Sequence, residues 1–276
     1  MARVAAFFDL DKTVIARSST LAFSRPLYAG GLLTRAAMLR SAYAQFVYAL
    51  SGADHAQMER MRAYLSELVT GWEVSQVQEI VAQTLHELID PLVYAEAADL
   101  IAEHHGAGHD VVLVSSSGLE VVEPIGELVG ADRVVATRVA VRDGRYTGEV
   151  EEYVYGPQKA VAMRRLAAEA GYDLAECWAY SDSRTDLPML AAVGHPVAVN
   201  PDRALRREAA RRGWQTRDFV NPVPLRSVLA GRLTVPRQRA AAVAALGAGA
   251  AGLAWYAGRR RARRPDRALP KRGRGE

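Results

Sequence analysis

The chain has 276 residues, 50% hydrophobic and 24% charged, with 1 cysteine and a formal net charge of +4 at pH 7. That balance excludes collagen-like, wholly disordered and polytopic membrane classes. The lone Cys177 also excludes an intramolecular disulfide and a four-cysteine zinc site. The charge is uneven: residues 237–276 hold 11 Lys or Arg against 2 acids, a local net of +9, which leaves residues 1–236 at −5 with 24 bases and 29 acids. Basicity therefore belongs to the tail, and the body gives no ground for nucleic-acid binding.

The opening MARVAAFFDLDKT reaches charged residues too soon to hold the apolar stretch of a secretory signal, so a reducing cytoplasm is the expected compartment. Residues 3–8 are an apolar run that reads as a buried strand carrying Asp9 at its C-terminal end. Residues 17–105 have few glycines, two prolines, and Ala, Leu, Met and Tyr at helical spacing. They predict four or five helices, broken near Gly30-Gly31, Ser51-Gly52, Gly71 and Asp90-Pro91, with Asp54 and Ser75 as N-caps.

From His109 the texture changes. Asp110–Val114 predicts a second buried strand, followed by Ser115-Ser-Ser-Gly118 and a helix to about Gly130. Residues 133–141 and 145–150 flank Asp143-Gly144, a pair suited to a tight hairpin turn. A helix over 157–170, a strand over 176–180, a helix over 186–192 and a strand over 196–199 complete the pattern. Alternating strands and helices imply a Rossmann-like α/β core with a parallel sheet, and the insert between the first two strands reads as a helical cap over it. The boundaries are residues 1–16 and 106–222 for the core, 17–105 for the cap and 223–276 for the tail. Ligands of such sheets bind at the strand C-termini, where Asp9, Ser115 and Asp182 are expected.

The chemistry-bearing residues fall at those ends. Asp9 and Asp11, at i and i+2 after a strand, point to one side of an extended chain. One of them can attack phosphorus while the other handles protons. Ser115 can hold a phosphoryl oxygen, Lys159 offers a point charge at the start of a helix, and Asp182 and Asp186 lie in Tyr-Ser-Asp-Ser-Arg-Thr-Asp after another strand. Singly, these residues read as turn aspartates, a surface serine, a surface lysine and helix caps. Their order and common placement argue for a site.

At these residues the sequence resembles the haloacid dehalogenase (HAD) phosphatase superfamily, in subfamily IB, the branch similar to phosphoserine phosphatases, over about residues 3–220. The resemblance implies a HAD-like fold and hydrolysis of a small phosphorylated metabolite. In that reading Asp9 is a nucleophile that forms an aspartyl-phosphate, and Asp11 is the acid and base. Ser115 and Lys159 bind the phosphoryl group. Mg²⁺ is held by Asp9, the Asp11 carbonyl and Asp182, with Asp186 in support. The residue types suit this independently: a phosphate dianion repels a carboxylate nucleophile until a cation and a lysine neutralise charge, and oxygen ligands favour Mg²⁺ over zinc. Ion-pump members of the superfamily have threonine where this chain has Asp11, and an acid–base group there favours hydrolysis of the phosphoenzyme.

Two departures from the family pattern matter. The fourth motif usually begins Gly-Asp and here reads Ser181-Asp182, a small-for-small change expected to be tolerated. Phosphoserine phosphatases carry a glutamate soon after the first motif, yet no acid occurs here between Asp11 and Asp54, where Arg17, Arg25, Arg35 and Arg40 stand instead. An anionic or bulkier substrate fits that charge better than an amino-acid zwitterion, with Arg17 and Arg25 as specificity residues. A phosphotransferase, or a regulatory membrane-associated member of the family with a substrate other than phosphoserine, is the alternative.

His104, His105 and His109 read as surface or capping residues, Cys177 as an inert core thiol, and Trp72 and the cap tyrosines as packing. Residues 240–258 are 19 uncharged, mostly Ala and Gly positions, followed by nine bases between Arg259 and Arg274. Bases on that side oppose the positive-inside tendency, which favours a peripheral helix, with residues 240–264 meeting an anionic membrane surface, over a span.

Overall fold

The computed structural model describes residues 3–34, 63–64 and 66–222. Arg35, Arg40, Asp54, the break at Ser51-Gly52 and the whole 223–276 tail lie outside the described residues.

The chain begins with β1 (Ala5–Phe8), whose four residues are all buried. It leaves the sheet through α1 (Ser19–Ala29), α2 (Val74–Leu88), a 3₁₀ turn (Asp90–Leu92) and α3 (Ala95–Gly106). It re-enters as β2 (Asp110–Gly118), then runs through α4 (Leu119–Val129), β3 (Arg133–Arg142), β4 (Arg145–Glu152), α5 (Pro157–Ala170) and β5 (Trp178–Ser181). A second 3₁₀ turn (Arg184–Asp186) leads into α6 (Leu187–Leu190), β6 (His195–Val199), α7 (Arg203–Arg212) and β7 (Gln215–Arg217). The sheet order is β4-β3-β2-β1-β5-β6-β7, and every pairing is parallel except β3 with β4. This is the α/β parallel sheet expected from the alternation of elements.

β1 stands at the centre, and its side chains alternate between two cores as a strand's pleat requires. Ala6 and Phe8 face the core filled by Phe23, Val81, Leu100 and Ile125 of α1 to α4. Ala5 and Phe7 face the core filled by Met163, Leu190, Leu205 and Ala209 of α5, α6 and α7. A strand buried on both faces has to be apolar throughout, which is why its sequence reads as a continuous run.

The insert leaves and returns at one point. Ala16 N–H donates to Leu92 O (2.8 Å) and Tyr94 N–H to Val14 O (3.0 Å), so the outgoing and returning chains pair. A second tie comes from the β3–β4 hairpin, where Gly71 N–H donates to Tyr146 O (2.8 Å), Tyr146 N–H to Trp72 O (3.0 Å), and Arg145 pairs with Glu73. The hairpin turns at Asp143-Gly144, both with positive φ (51° and 74°), the geometry that an Asp-Gly pair tolerates best.

Some expectations shift. Ser75 is not an N-cap: α2 starts at Val74 and Glu73 holds the capping position, so Ser75 lies inside the first turn. The predicted 186–192 helix is a 3₁₀ turn followed by four α-helical residues. α7 and β7 had no counterpart in the sequence reading, because α7 buries only Leu205 and Ala209 among its charged residues. Its signals are local: Asp202 accepts from the Ala204 and Leu205 amides, and Gly213 closes the helix in the left-handed region.

His104 is not a surface residue. It is 7% exposed, with Nδ1 3.0 Å from His109 Nδ1, Nε2 2.8 Å from the Tyr180 hydroxyl, and its ring edge-on to Phe8. Burial first, then His109, Arg217 and His105, press its imidazole down to about 4. A base depressed in the fold contributes stability that is complete above its unfolded value of 6.5 and is lost as pH falls toward 4. We expect the stability advantage of wild type over His104→Gln, measured by urea unfolding, to shrink by about 2 kcal/mol between about pH 7 and pH 4.5. An advantage constant across that range would contradict a neutral buried imidazole.

Candidate active site

The parallel register decides which residues meet. Phe8 lies opposite Leu113 on β2 and Tyr180 on β5, so Asp9, one residue further along, and Ser115 and Asp182, each two further along, come to the same C-terminal edge. Asp9 N–H donates to Tyr180 O (2.9 Å), which fixes the height at which its carboxylate leaves the sheet. The chain then curls tightly: Val14 and Ile15 amides both reach Leu10 O (2.9 and 3.1 Å), with Lys12 at a φ of 64°. Thr13, carried round by that curl, donates its hydroxyl to Asp9 Oδ2 (3.2 Å).

Lys159 is delivered by α5. Pro157 starts that helix after Gly156, whose φ of 54° favours a residue without a side chain, and Lys159 falls in the first turn. Its ammonium, 3% exposed, donates to Asp9 Oδ1 (2.5 Å) and Asp186 Oδ2 (2.7 Å). Burial opposes its charge, but attraction from Asp186 and Asp9 outweighs that and holds the ammonium above its ordinary range. The lysine and Asp186 thus form one buried unit with Asp9.

Ser181 completes this unit. Its buried hydroxyl donates to Asp186 Oδ2 (2.8 Å) and accepts from Ser183 N–H (3.2 Å). The sequence reading treats Ser181 as a small-for-small change, whereas the structure gives its hydroxyl a bond that glycine lacks. The only sequence signal was the departure itself from Gly-Asp.

Charge is the dominant feature of the site. Asp9, Asp11, Asp182 and Asp186 surround one buried lysine. Burial first, opposed by Lys159 and reinforced by Asp186 and Asp11, pushes Asp9 up to about 7. Burial and then the Asp9 charge push Asp182 up to about 8, against the attraction of Lys12. Among the described residues nothing donates a hydrogen bond to the Asp182 carboxylate. Two repelling, oxygen-only carboxylates, one without a donor, fit a hard divalent cation such as Mg²⁺. Asp9, Asp182 and the Asp11 carbonyl are the groups that would hold it.

The remaining expected residues are placed as follows. Ser115 is 2% exposed and its hydroxyl accepts from Ser117 N–H (3.2 Å), at the edge beside Asp9. Asp11 turns away from Lys159 toward α1, where its Oδ1 accepts the Ser19 N–H (2.8 Å). Burial raises the Asp11 carboxyl, and bonds from Ser19 and Ser18 work in the opposite direction. Arg17 and Arg25 are exposed, and neither has an ion pair or hydrogen bond among the described residues.

Comparison with known proteins shows the family and the fold. Residues 6–191 match the family of haloacid dehalogenase-like hydrolases. A Streptomyces azureus protein called "Inhibition of morphological differentiation protein" is 67% identical, over 94% of this chain and 95% of its own length. A Mycobacterium tuberculosis H37Rv protein named "Probable phosphatase" is 58% identical, over 93% of this chain and 89% of its own. A Bordetella pertussis Tohama I protein of unknown function shares the fold at a TM-score of 0.71 and 28% identity, covering 80% of this chain and 100% of its own. A phosphoserine phosphatase, solved as an analogue of its phospho-aspartyl intermediate, shares the fold at 0.59 and 21% identity, covering 83% of this chain and 99% of its own.

The charge argument predicts opposite effects of one substitution with and without metal. An acid raised in the fold costs stability above its unfolded value, so at about pH 8 with EDTA, Asp182→Asn should unfold later than wild type, by about 1–2 kcal/mol. Mg²⁺ should raise the melting temperature of wild type and leave Asp182→Asn nearly unmoved. Equal stabilisation of both proteins by Mg²⁺ would remove Asp182 from the cation site.

Proposed function

The chain belongs to the haloacid dehalogenase-like hydrolase family, and we propose that, as a hydrolase of phosphoric monoesters, it works through a covalent phosphoenzyme on Asp9. The observation that supports this most is the buried unit in which Lys159 bridges Asp9 and Asp186, with a second carboxyl, Asp11, one turn of loop away. A carboxylate kept beside a buried ammonium is positioned and available, while the lysine stands ready for a phosphoryl oxygen.

In this reading the phosphoryl group of a small phosphomonoester sits over Asp9, with its oxygens on Lys159 and the Ser115 hydroxyl. An Asp9 carboxylate oxygen bonds to phosphorus as the bond to the ester oxygen breaks. The raised Asp11 carboxyl gives its proton to that departing oxygen, and the alcohol leaves. Asp11, now ionised, takes a proton from a water that attacks the same phosphorus. The Asp9–phosphorus bond breaks, inorganic phosphate forms, and Asp11 is again protonated. Bound Mg²⁺ supplies the positive charge that lets a phosphate dianion approach a carboxylate and stabilises the transferring oxygens.

In this reading the insert that α1 opens serves as a cap over this edge. α3 itself lies against the sheet through His104 and Leu100. Arg17 and Arg25, exposed and without an ion pair among the described residues, offer the charge that an anionic leaving group attracts.

Phosphate release from p-nitrophenyl phosphate should require Mg²⁺, stop with EDTA and fall by at least about 10³-fold in Asp9→Asn. Acid-quenched wild type should retain phosphate on Asp9 by mass spectrometry. Activity that survives Asp9→Asn would remove Asp9 as the nucleophile. Across a panel of phosphomonoesters, phosphoserine should rank below anionic substrates, and Arg17→Ala or Arg25→Ala should narrow the gap by about threefold or more. An unchanged ranking would take both arginines out of recognition.

A further inference from the structure

The acid–base carboxyl is not held by the sheet that holds the nucleophile. Ser19 is the first residue of α1, and its N–H, one of the helix's unpaired amides, bonds Asp11 Oδ1 at 2.8 Å. The formal N-cap, Ser18, makes no side-chain cap bond, so Asp11 fills the N-cap's role from seven residues upstream. The rotamer of Asp11 therefore depends on where the first turn of α1 sits.

That turn is fastened to the core at one point. The Ser19 hydroxyl, fully buried, lies 2.9 Å from the Ser117 hydroxyl, which is 8% exposed. Thr20 Oγ1 approaches the same atom at 3.3 Å. Ser117 also donates its N–H to Ser115 Oγ (3.2 Å), the hydroxyl assigned to the phosphoryl group. Ser117 thus stands between phosphate binding, through its backbone, and Asp11, through its side chain.

We infer that Ser117 is a positioning residue whose hydroxyl, through Ser19, aims the Asp11 carboxyl at the leaving-group oxygen. The inference rests on the assignment of Asp11 as general acid. A buried hydroxyl pair this short is either made or left unsatisfied, so the latch has few intermediate states. It joins the insert to the catalytic edge at the residue that performs proton transfer.

A general acid matters in proportion to the basicity of the leaving group. The test is kcat/KM for p-nitrophenyl, phenyl and p-methylphenyl phosphates, similar in shape and rising in leaving-group basicity, with Mg²⁺ and the full chain. Wild type should show a shallow dependence and Asp11→Asn a steep one. Ser117→Ala, which keeps the N–H to Ser115, should lose about tenfold on phenyl phosphate and less than about twofold on p-nitrophenyl phosphate. Ser117→Thr should restore the shallow slope.

A uniform loss across the three esters in Ser117→Ala, beside a steep Asp11→Asn, would reduce Ser117 to a packing role and overturn the inference. A shallow slope in Asp11→Asn would overturn it together with the general-acid assignment, while the Asp9 phosphoenzyme would stand or fall on its own trapping experiment. If Ser117→Ala does not fold, Ser117→Cys, which keeps the N–H to Ser115 and nearly the same side-chain size while weakening the hydroxyl contact, decides the question.

Discussion

The structure turns on the burial of one ammonium among carboxylates that would otherwise repel each other. Lys159 has two acidic partners within 2.7 Å and almost no solvent. An uncompensated charge at that depth costs several kcal/mol, so either partner alone leaves the arrangement unfavourable. This requirement reaches far into the chain. It asks β1 to end one residue before Asp9, β5 to end one residue before Asp182, and α5 to follow a glycine with positive φ so that Lys159 enters in its first turn. It also explains the hydroxyl at Ser181, which adds a donor to the oxygen of Asp186 that Lys159 already holds. Where a glycine would leave Asp186 to the lysine alone, this chain holds the carboxylate from two directions.

The second functional carboxyl is governed by different elements. Asp9 is fixed by strand register and by Lys159, both features of the core, whereas Asp11 is fixed by the first turn of α1. In the proposed mechanism, then, the nucleophile is held by contacts of the sheet and of α5, and the proton donor by a contact from the insert that leaves and returns through the paired segments at Val14–Ala16 and Leu92–Tyr94. Such a division lets phosphate be held without proton transfer being committed, because the two steps answer to separate sets of contacts. The hairpin contact at Gly71–Glu73 and the serine pair at Ser19 and Ser117 are the places where the two parts are fastened together.

Strand residues were the most legible in the sequence. β1 and β2 are buried on both faces, so their apolar runs announce their existence; the run of β2 stops at Val114, whereas the strand continues through Ser115 to Gly118, because its last residues pair in the sheet without being apolar. α5 was bounded by Gly156-Pro157 at one end and Gly171 at the other, and its predicted limits coincide with the observed ones. α7 was missed because a helix that buries two residues shows almost no apolar stripe, and its caps, Asp202 and Gly213, are too common to stand out. His104 was misplaced for a related reason: a histidine beside glycines looks exposed until β1 and β5 supply Phe8 and Tyr180 as its neighbours. The Ser19–Ser117 contact joins residues 98 apart, and no local pattern marks either serine among its neighbours. Pairings of this kind are set by tertiary position, which hydrophobic period and cap signals do not encode.

Charge inventory also bears on the choice of substrate. With Asp11 carrying the proton that the proposed cycle uses, Asp9, Asp182 and Asp186 stand against Lys159 and Lys12, and a bound divalent cation would leave less positive charge over than the negative charge a phosphate dianion brings. A phosphate dianion then arrives as surplus charge, so the rest of the substrate decides what else is needed. A substrate with its own ammonium carries part of the compensation and wants an acid on the insert to meet it. A substrate with a further anion carries none and wants cations. The stretch between Asp11 and Asp54 contains no acid, and within its described part Arg17 and Arg25 stand exposed and without an ion pair. In the proposed reading that stretch would supply the sign of charge that an anionic leaving group lacks, and it holds no carboxylate for the ammonium of phosphoserine.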